Sequence, residues 1–249
     1  HKQESKLSAQ KRQIQMAQTS LPKIDLAIAE EFDKPKKPDT AKPDNNTNND
    51  IEKPDTQTPQ EPVVPNHPND TSNNDSFLVP LSYGWHYESG TWHYPGGGGH
   101  MGMDFSTGGT INIPVQAPAA GVILHTYSGC GNGYSNCGIP IGGGNNVLLL
   151  TKKGNTIYAM PFYHMTSIAV TPGQKVSQGQ VLGYSGDSGW SLGNHCYVEI
   201  IRVGNMSMSE ALHIYNSSND LTFGTGWNAE VPNACGSAPC RERPENYWL

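Results

Sequence analysis

The sequence predicts a mainly β domain, a sandwich or barrel-like sheet, over residues 77–249. Short runs rich in β-branched and aromatic residues recur between Gly- and Asn-rich turns, as in residues 121–127, 146–151 and 156–159. No helical period of apolar residues runs between positions 77 and 203. Short strands joined by such turns are typical of all-β sandwiches and barrels, so we expect strands to carry the functional side chains.

Residues 1–32 show a different pattern, in which apolar residues recur every seven positions. This period is typical of a coiled-coil seam, although Pro22 interrupts or restarts the helix. We predict a helical coiled-coil remnant here; the alternative is a single amphipathic helix without a partner. The seam consists of Leu7, Ile14, Leu21 and Ile28, with Ala17 and Ile24 on the intervening positions.

Residues 33–76 contain almost no large apolar side chains and are rich in Pro, Asp, Asn, Thr and Lys. Such a composition buries too little apolar surface to offset the entropy lost on ordering. We therefore predict a disordered linker, which divides the chain into a helical segment at 1–32, a linker at 33–76 and a β domain at 77–249.

The charge of the chain disfavours nucleic acid as a partner. The formal net charge is -6 at pH 7, and no basic patch with interleaved aromatic residues occurs. No run approaches the roughly 18 apolar residues that span a bilayer. Because the chain begins at His1 rather than Met, the sequence leaves open a signal peptide or a membrane anchor upstream.

The five cysteines include two closely spaced pairs, Cys130 with Cys137 and Cys235 with Cys240, each in a loop of small residues. We predict two short, loop-closing disulfides, which imply an oxidising, extracytoplasmic location. A four-cysteine zinc site is the alternative, but neither spacing is that of the usual zinc knuckle. Cys196 is then a buried free thiol.

Three of the nine histidines lie in contexts that indicate chemistry. His100 follows four glycines, which permit close approach of the backbone to a ligand, and it precedes Asp104 by four residues. Imidazole and carboxylate are zinc ligands, and a catalytic zinc normally has three protein ligands and an open position for water. His164 follows Phe-Tyr, and His195 begins a strand in which residues 195, 197 and 199 share one face.

These motifs resemble the lysostaphin-type (LytM-like) zinc metalloendopeptidases, which cut the peptide cross-links of bacterial peptidoglycan. The resemblance covers residues 77–203 and implies a lysostaphin-like fold, peptidoglycan as the partner, and a secreted, cell-surface or membrane-anchored location. Six elements in sequence order carry it: residues 77–80, His100-x-Gly102-x-Asp104, residues 115–122, Tyr163-His164-Met165, residues 172–183, and residues 185–189 with Asn194-His195.

The resemblance also implies a role for each site residue. His100 and Asp104 would be zinc ligands, while His164 and His195 would activate the attacking water and stabilise the tetrahedral intermediate. Zinc would lower the pKa of its bound water to about 7 and polarise the scissile carbonyl. The third ligand of the family is the second histidine of a His-x-His element, and Tyr197 occupies that position here.

Tyr197 leaves three interpretations open. It ligates zinc as a phenolate, which requires a pKa well below about 10. Alternatively, another residue supplies the third ligand, although Cys196 should point to the opposite face of the strand. In the third interpretation the metal site is weak or absent. We favour this one, because losing one of three protein ligands should greatly weaken zinc binding.

The sequence therefore predicts an extracytoplasmic, peptidoglycan-directed protein of metallopeptidase fold that acts in cell-wall remodelling, a zinc endopeptidase by ancestry with an incomplete metal site. The alternative is a catalytically degenerate wall-binding or regulatory module, a pseudoenzyme that activates another cell-wall hydrolase. In that case the N-terminal coil would contact the hydrolase or a membrane complex. The tail after Val203 is expected to pack as a C-terminal extension.

Overall fold

The structure is a computed structural model that describes residues 21–34, 76–228 and 232–248. Strands dominate these residues, which confirms the predicted mainly β class. The strands are β1 (His86–Ser89), β2 (Trp92–His93), β3 (Gly99–His100), β4 (Met103–Ser106), β5 (Pro114–Gln116), β6 (Gly121–Tyr127), β7 (Gly133–Tyr134), β8 (Asn145–Lys153), β9 (Thr156–Met165), β10 (Ser167–Ile168), β11 (Lys175–Val176), β12 (Val181–Tyr184), β13 (Ser188–Gly189), β14 (His195–Val198), β15 (Ile200–Asn205) and β16 (Cys240–Glu242).

The principal sheet has the strand order β1-β4-β14-β9-β8-β6-β11, and β15 and β16 extend it beside β9. Its neighbouring strands are antiparallel. Strands β10, β12 and β5 form a second, smaller sheet. The order places β4 and β9 on either side of β14, so three strands that carry predicted site residues lie side by side.

Both faces of the principal sheet are buried. In β8, Val147 and Leu149 face one apolar core, whereas Leu148 and Leu150 face the other. This explains why β8 reads as a continuous apolar run rather than an alternating one. The first core also contains Phe105 and Val198 from the strands that hold the site.

The second face is covered by helices and by the described part of the N-terminal segment. The helices of the structure are a 3₁₀ turn at Leu26–Ala29, α1 (Glu30–Asp33), α2 (Met208–Ser218) and α3 (Glu245–Trp248). Of these, α3 packs through Trp248 in the first core instead. Leu21 and Ile24 pack with Leu212 and Tyr215 of α2 in the second core. Among the described residues, none of the helices is long and apolar enough to cross a membrane.

This arrangement differs from the coiled-coil seam expected over residues 1–32. Residues 21–25 are not helical, and Leu21 and Ile24 are buried in the domain core instead of lining a seam. The physical reason is that α2 offers these side chains an apolar surface within the same chain. The remainder of the predicted coil, residues 1–20, and the predicted linker, apart from its ends, lie outside the described residues.

Hydrogen bonds fix the N-terminal segment to α2. The Asp33 carboxylate accepts the backbone N–H groups of Met208 and Ser209 at 2.7 and 3.0 Å, in the first turn of α2. Lys152 pairs with the same carboxylate at 2.9 Å. Burial alone would raise the pKa of Asp33, but these hydrogen bonds lower it to about 2. Asp33 therefore supplies negative charge at the N-terminus of α2, where the helix dipole favours it.

The cysteine predictions are confirmed. Cys130 bonds Cys137 with an S–S distance of 2.06 Å, and Cys235 bonds Cys240 at 2.10 Å. Cys196 is free and fully buried in the first core. The tail after residue 203 packs on the domain through α2, β16 and α3, as expected for an extension.

Candidate functional site

The structure brings together all five residues that the sequence marked as a site. In the register between β14 and β4, Tyr197 lies opposite Asp104. On its other edge Tyr197 lies opposite Tyr163 of β9, next to His164. His100 reaches the same place through a tight turn at Gly102, where an added Cβ would lie 2.2 Å from the Val198 carbonyl oxygen. The glycine of the His-x-Gly-x-Asp motif is thus required by close approach to β14.

His100 and Asp104 form the centre of the site. His100 Nε2 lies 3.3 Å from Asp104 Oδ1, and His195 Nε2 lies 3.6 Å from the same oxygen. The side chains of His100 and Asp104 are 2% and 10% exposed. His100 Nε2 and Asp104 Oδ1 are buried without a well-formed hydrogen bond. Such orphaned buried atoms are costly to a fold and typical of a functional site.

The three histidines share one hydrogen-bond pattern. Their Nδ1 atoms lie 2.8 Å from backbone carbonyl oxygens, which are Gly90 O for His100, Ser188 O for His164 and Gly193 O for His195. Since a carbonyl only accepts, each Nδ1 carries the proton. In the neutral ring Nε2 then has the free lone pair, which is the arrangement of a metal ligand or a general base.

His164 is held under strain. Its φ of +62° lies in the left-handed region, which costs a residue other than glycine about 1–3 kcal/mol and recurs at functional sites. Its backbone N–H donates to Gly143 O at 3.1 Å, and its ring centroid lies 4.8 Å from that of His195. Burial, helped by the nearby His195, lowers the pKa of His164 to about 3, so its imidazole is neutral at physiological pH.

Aromatic rings enclose His100. The Tyr94 ring lies 4.2 Å from the His100 ring on one side, and the Tyr197 ring lies 4.8 Å away on another, measured between centroids. Tyr163 adds a further ring 5.5 Å from Tyr197. Burial lowers the pKa of His100, but the Asp104 carboxylate, the Gly90 carbonyl and the Glu199 carboxylate together raise it by more, so the pKa lies above its ordinary value.

The Tyr197 hydroxyl belongs to a buried polar chain. It donates to Glu199 Oε1 at 3.0 Å, and Arg241 Nε donates to Glu199 Oε2 at 2.7 Å. The side chains of Arg241 and Glu199 are 0% and 1% exposed. The remaining guanidinium nitrogens donate to the carbonyl oxygens of Thr225, Gly226 and Pro232. The charges of Glu199 and Arg241 in this hydrogen-bonded series are therefore compensated.

Tyr197 is consequently a poor metal ligand. Burial raises its pKa well above 10, and the Glu199 carboxylate adds to this shift, so the phenolate is disfavoured. The orphaned His100 Nε2 and Asp104 Oδ1 fit two zinc ligands, but the hydroxyl at the third position is committed to Glu199. Among the described ranges, no group of three or more His, Cys, Asp and Glu side chains is arranged to hold a metal ion. The residues present therefore fit a three-ligand zinc site only in part.

Sequence reasoning missed part of this arrangement. Arg241 lies in the tail, where a single arginine gave no signal, and only the pairing of β15 with β16 brings it beneath the site. Tyr94 likewise gave no signal, because its contact with His100 depends on the β2–β3 hairpin. The positions of Tyr163 and Glu199 in the motifs could have indicated their contacts with Tyr197.

Comparison with known proteins shows that part of the chain is similar to peptidases. Residues 98–209 match the model of Peptidase family M23. Over 103 residues the chain is 30% identical to the glycyl-glycine endopeptidase ALE-1 of Staphylococcus capitis, a match that covers 41% of this chain and 25% of that protein. Over 102 residues it is 35% identical to the peptidoglycan DD-endopeptidase ShyA of Vibrio cholerae, covering 41% of this chain and 20% of ShyA.

One similar solved structure is the catalytic domain of lysostaphin from Staphylococcus simulans. It is 29% identical, with a TM-score of 0.38, and the match covers 51% of this chain and 85% of that one. The chain spans no more than a quarter of the length of the two curated relatives above. The family match at residues 98–209 contains all five site residues.

Proposed function

We propose, from the match of residues 98–209 to the model of Peptidase family M23, that the chain acts on peptidoglycan outside the cytoplasm, in cell-wall remodelling, without a complete catalytic zinc site. Two relatives are named as a glycyl-glycine endopeptidase and a peptidoglycan DD-endopeptidase, which supports peptidoglycan as the polymer. The two disulfides support an oxidising location.

One observation carries the proposal of an incomplete site. The Tyr197 hydroxyl donates to Glu199, whose charge is already balanced by Arg241. Turning this hydroxyl toward a metal would leave a carboxylate oxygen without a partner in a buried position, which costs about 1–3 kcal/mol. It would also require ionising a phenol whose pKa is raised. The domain therefore serves as a wall-binding or regulatory module, one that supports another cell-wall hydrolase.

A second candidate function is zinc endopeptidase activity, as in the named relatives. The observation that favours it is the pair of unpaired buried atoms, His100 Nε2 and Asp104 Oδ1, next to His164 and His195 with their Nε2 lone pairs free. If zinc is bound, these two atoms are its ligands, and zinc would supply Lewis-acid polarisation of the scissile carbonyl.

The zinc content of the purified protein distinguishes the two functions. After dialysis against zinc and removal of the free metal, we expect far less than one zinc per unaltered chain by elemental analysis. We expect Tyr197→His to approach one, because an imidazole restores a ligand nitrogen beside Asp104. The matched control is Tyr163→His, a neighbouring buried tyrosine on β9, which should not gain zinc. One tightly bound zinc in the unaltered chain would refute the proposed incomplete site and support the endopeptidase.

A further inference from the structure

The segment of residues 188–193 exposes large apolar side chains immediately beside the buried histidines. Leu192 is 95% exposed and Trp190 is 44% exposed. In the same segment, Ser188 O accepts the Nδ1 proton of His164 and Gly193 O accepts that of His195. The exposed side chains therefore lie within four residues of the carbonyls that orient both histidines, at the rim of the site.

Trp190 is fixed in place rather than loosely exposed. Its indole Nε1–H donates to Asn136 Oδ1 at 2.8 Å, and its backbone N–H donates to Gly142 O at 2.7 Å. Gly142 has a φ of +85°, and an added Cβ there would lie 2.1 Å from Trp190 Cδ2. The indole thus packs directly on Gly142, and a larger residue at this position would collide with it. An aromatic side chain that is already ordered loses little conformational entropy when it binds a ligand.

The loop beneath Trp190 is itself rigid. The Cys130–Cys137 disulfide closes it, and β7 within it pairs with β13 in parallel register, with Tyr134 opposite Gly189. Tyr134 is 66% exposed. We call Tyr134, Trp190 and Leu192 the shelf. Tyr134 lies opposite Gly189, the residue before Trp190, and Leu192 follows Trp190 by two residues, so the backbone pairing brings three exposed apolar residues to one part of the surface.

The segments that carry the shelf contain no cationic side chain, and the adjacent Asp187 carboxylate accepts the Gly133 N–H, next to Tyr134, at 3.1 Å. Residues 128–144 and 188–194 contain no Lys, Arg, Asp or Glu and are rich in Gly, Ser and Asn. The carboxylates of an ionised stem peptide would therefore find no cation there. A neutral sugar matches both properties, because one face of a pyranose ring is apolar and its hydroxyl and amide groups can bond with Ser and Asn. An oligoglycine bridge is also neutral, but it has no apolar face to place against an indole.

We propose that the shelf is a carbohydrate-binding site that stacks the pyranose rings of the glycan strand of peptidoglycan. The choice of peptidoglycan as the polymer rests on the proposed function. The shelf indicates that the glycan strand is the component of this polymer that the domain recognises. Glycan held on the shelf would place the attached peptides over the neighbouring histidines. Recognition of this kind serves a binding module whether or not a metal is bound.

The test is titration of the full ¹⁵N-labelled chain with the hexamer of N-acetylglucosamine, and separately with pentaglycine, followed by NMR. We expect the Trp190 indole N–H signal to shift with the hexamer, and we expect no saturable shift with pentaglycine. Trp190→Ala should weaken hexamer binding about tenfold or more, since truncating a central tryptophan removes one of the largest single contributions to a binding surface. Trp190→Phe should retain most of the binding, because it keeps an aromatic face.

Controls separate binding from folding. Leu192→Ala alters a side chain that is 95% exposed, so the fold is kept, and it should weaken hexamer binding several-fold. Tyr83→Ala removes an exposed aromatic ring outside the shelf and should leave binding unchanged. Binding of pentaglycine in preference to the hexamer, or equal losses in Tyr83→Ala and the shelf variants, would overturn the proposal. Zinc measured on the same samples tests the proposed function separately, because either result can fail alone.

Discussion

The two halves of the site lie on neighbouring strands and differ in the hydrogen bonding of their buried polar atoms. In the half beside β4, His100 Nε2 and Asp104 Oδ1 are buried without well-formed hydrogen bonds. In the half on and after β14, the Tyr197 hydroxyl and both Glu199 oxygens are bonded, and Arg241 completes the chain with three backbone carbonyls. The first half offers ligand atoms without partners, whereas the hydroxyl and carboxylate oxygens of the second half are all hydrogen-bonded.

This difference shows that counting ligand-type residues does not define a metal site. A ligand atom must be free of other partners in the folded protein, and its outer partners must orient it toward the metal. The unpaired half lies within the family match at 98–209, whereas the paired half depends on Arg241, which lies beyond it. A residue of the C-terminal extension, Arg241, therefore bonds directly to a residue within the family match, Glu199.

The largest effect is expected from Arg241→Met, which removes the cation from the paired half. Glu199 would remain as a buried charge without compensation, and breaking a buried ion pair from one side costs about 3–5 kcal/mol. We expect the free energy of unfolding, measured by urea denaturation, to fall by that amount. The matched control is Lys175→Met, which removes a cation from an exposed pair with Glu31 and should cost less than about 1 kcal/mol.

A double variant tests whether the uncompensated charge of Glu199 causes this loss of stability. Adding Glu199→Leu to Arg241→Met removes both charges and should recover most of the lost stability, since well-packed apolar residues often replace a buried ion pair at little cost. If the single and double variants are equally unstable, Arg241 acts through its contacts with the carbonyls of residues 225, 226 and 232, and the charge balance proposed for this half is refuted.

A smaller effect is expected from Tyr197→Phe, which keeps the ring and removes only the hydroxyl. Glu199 Oε1 then loses its donor in a buried place, at a cost of about 1–3 kcal/mol. Thermal or urea unfolding measures the loss, and Tyr184→Phe, at a half-exposed ring on β12, is the control that should change little. No change on Tyr197→Phe would mean that the hydroxyl is not committed to Glu199 and is free to contact a ligand.

The fold class and the first half of the site could be predicted because their signals are local in sequence. The glycines before His100, the four-residue spacing to Asp104 and the alternation from His195 to Tyr197 each lie within a few residues. The same holds for the two disulfides, whose partners are 7 and 5 residues apart. In each case short-range geometry determines which groups can meet.

The bond between Glu199 and Arg241 could not be predicted, because it joins distant positions. Glu199 and Arg241 are 42 residues apart, and only the pairing of β15 with β16 brings them together. Leu21 and Ile24 illustrate the same limit, since a heptad pattern cannot show that α2, almost two hundred residues later, buries these side chains. The sequence named Tyr197 as decisive, but its hydrogen-bond partner determines what it does.

The smallest effect is expected from Asp104→Asn in the unpaired half. His100 has a pKa raised by Asp104, so this pair stabilises the fold fully below about pH 6.5, the ordinary histidine value. That contribution is lost as pH rises through the raised pKa, when His100 becomes neutral. At pH 8 the substitution should therefore change the free energy of unfolding by less than about 1 kcal/mol, because Asp104 Oδ1 has no hydrogen bond to lose.

At pH 5.5 the same substitution should cost more than at pH 8, because it removes the partner of a charged His100. Urea denaturation at the two pH values measures this difference, and Glu88→Gln, an exposed carboxylate on β1, is the matched control that should show none. If Asp104→Asn cost several kcal/mol at pH 8, Asp104 would hold bonds in the folded protein comparable to those of Glu199. The contrast between a free half and a committed half of the site would then fail, and with it the reason for expecting Tyr197, rather than Asp104, to limit metal binding.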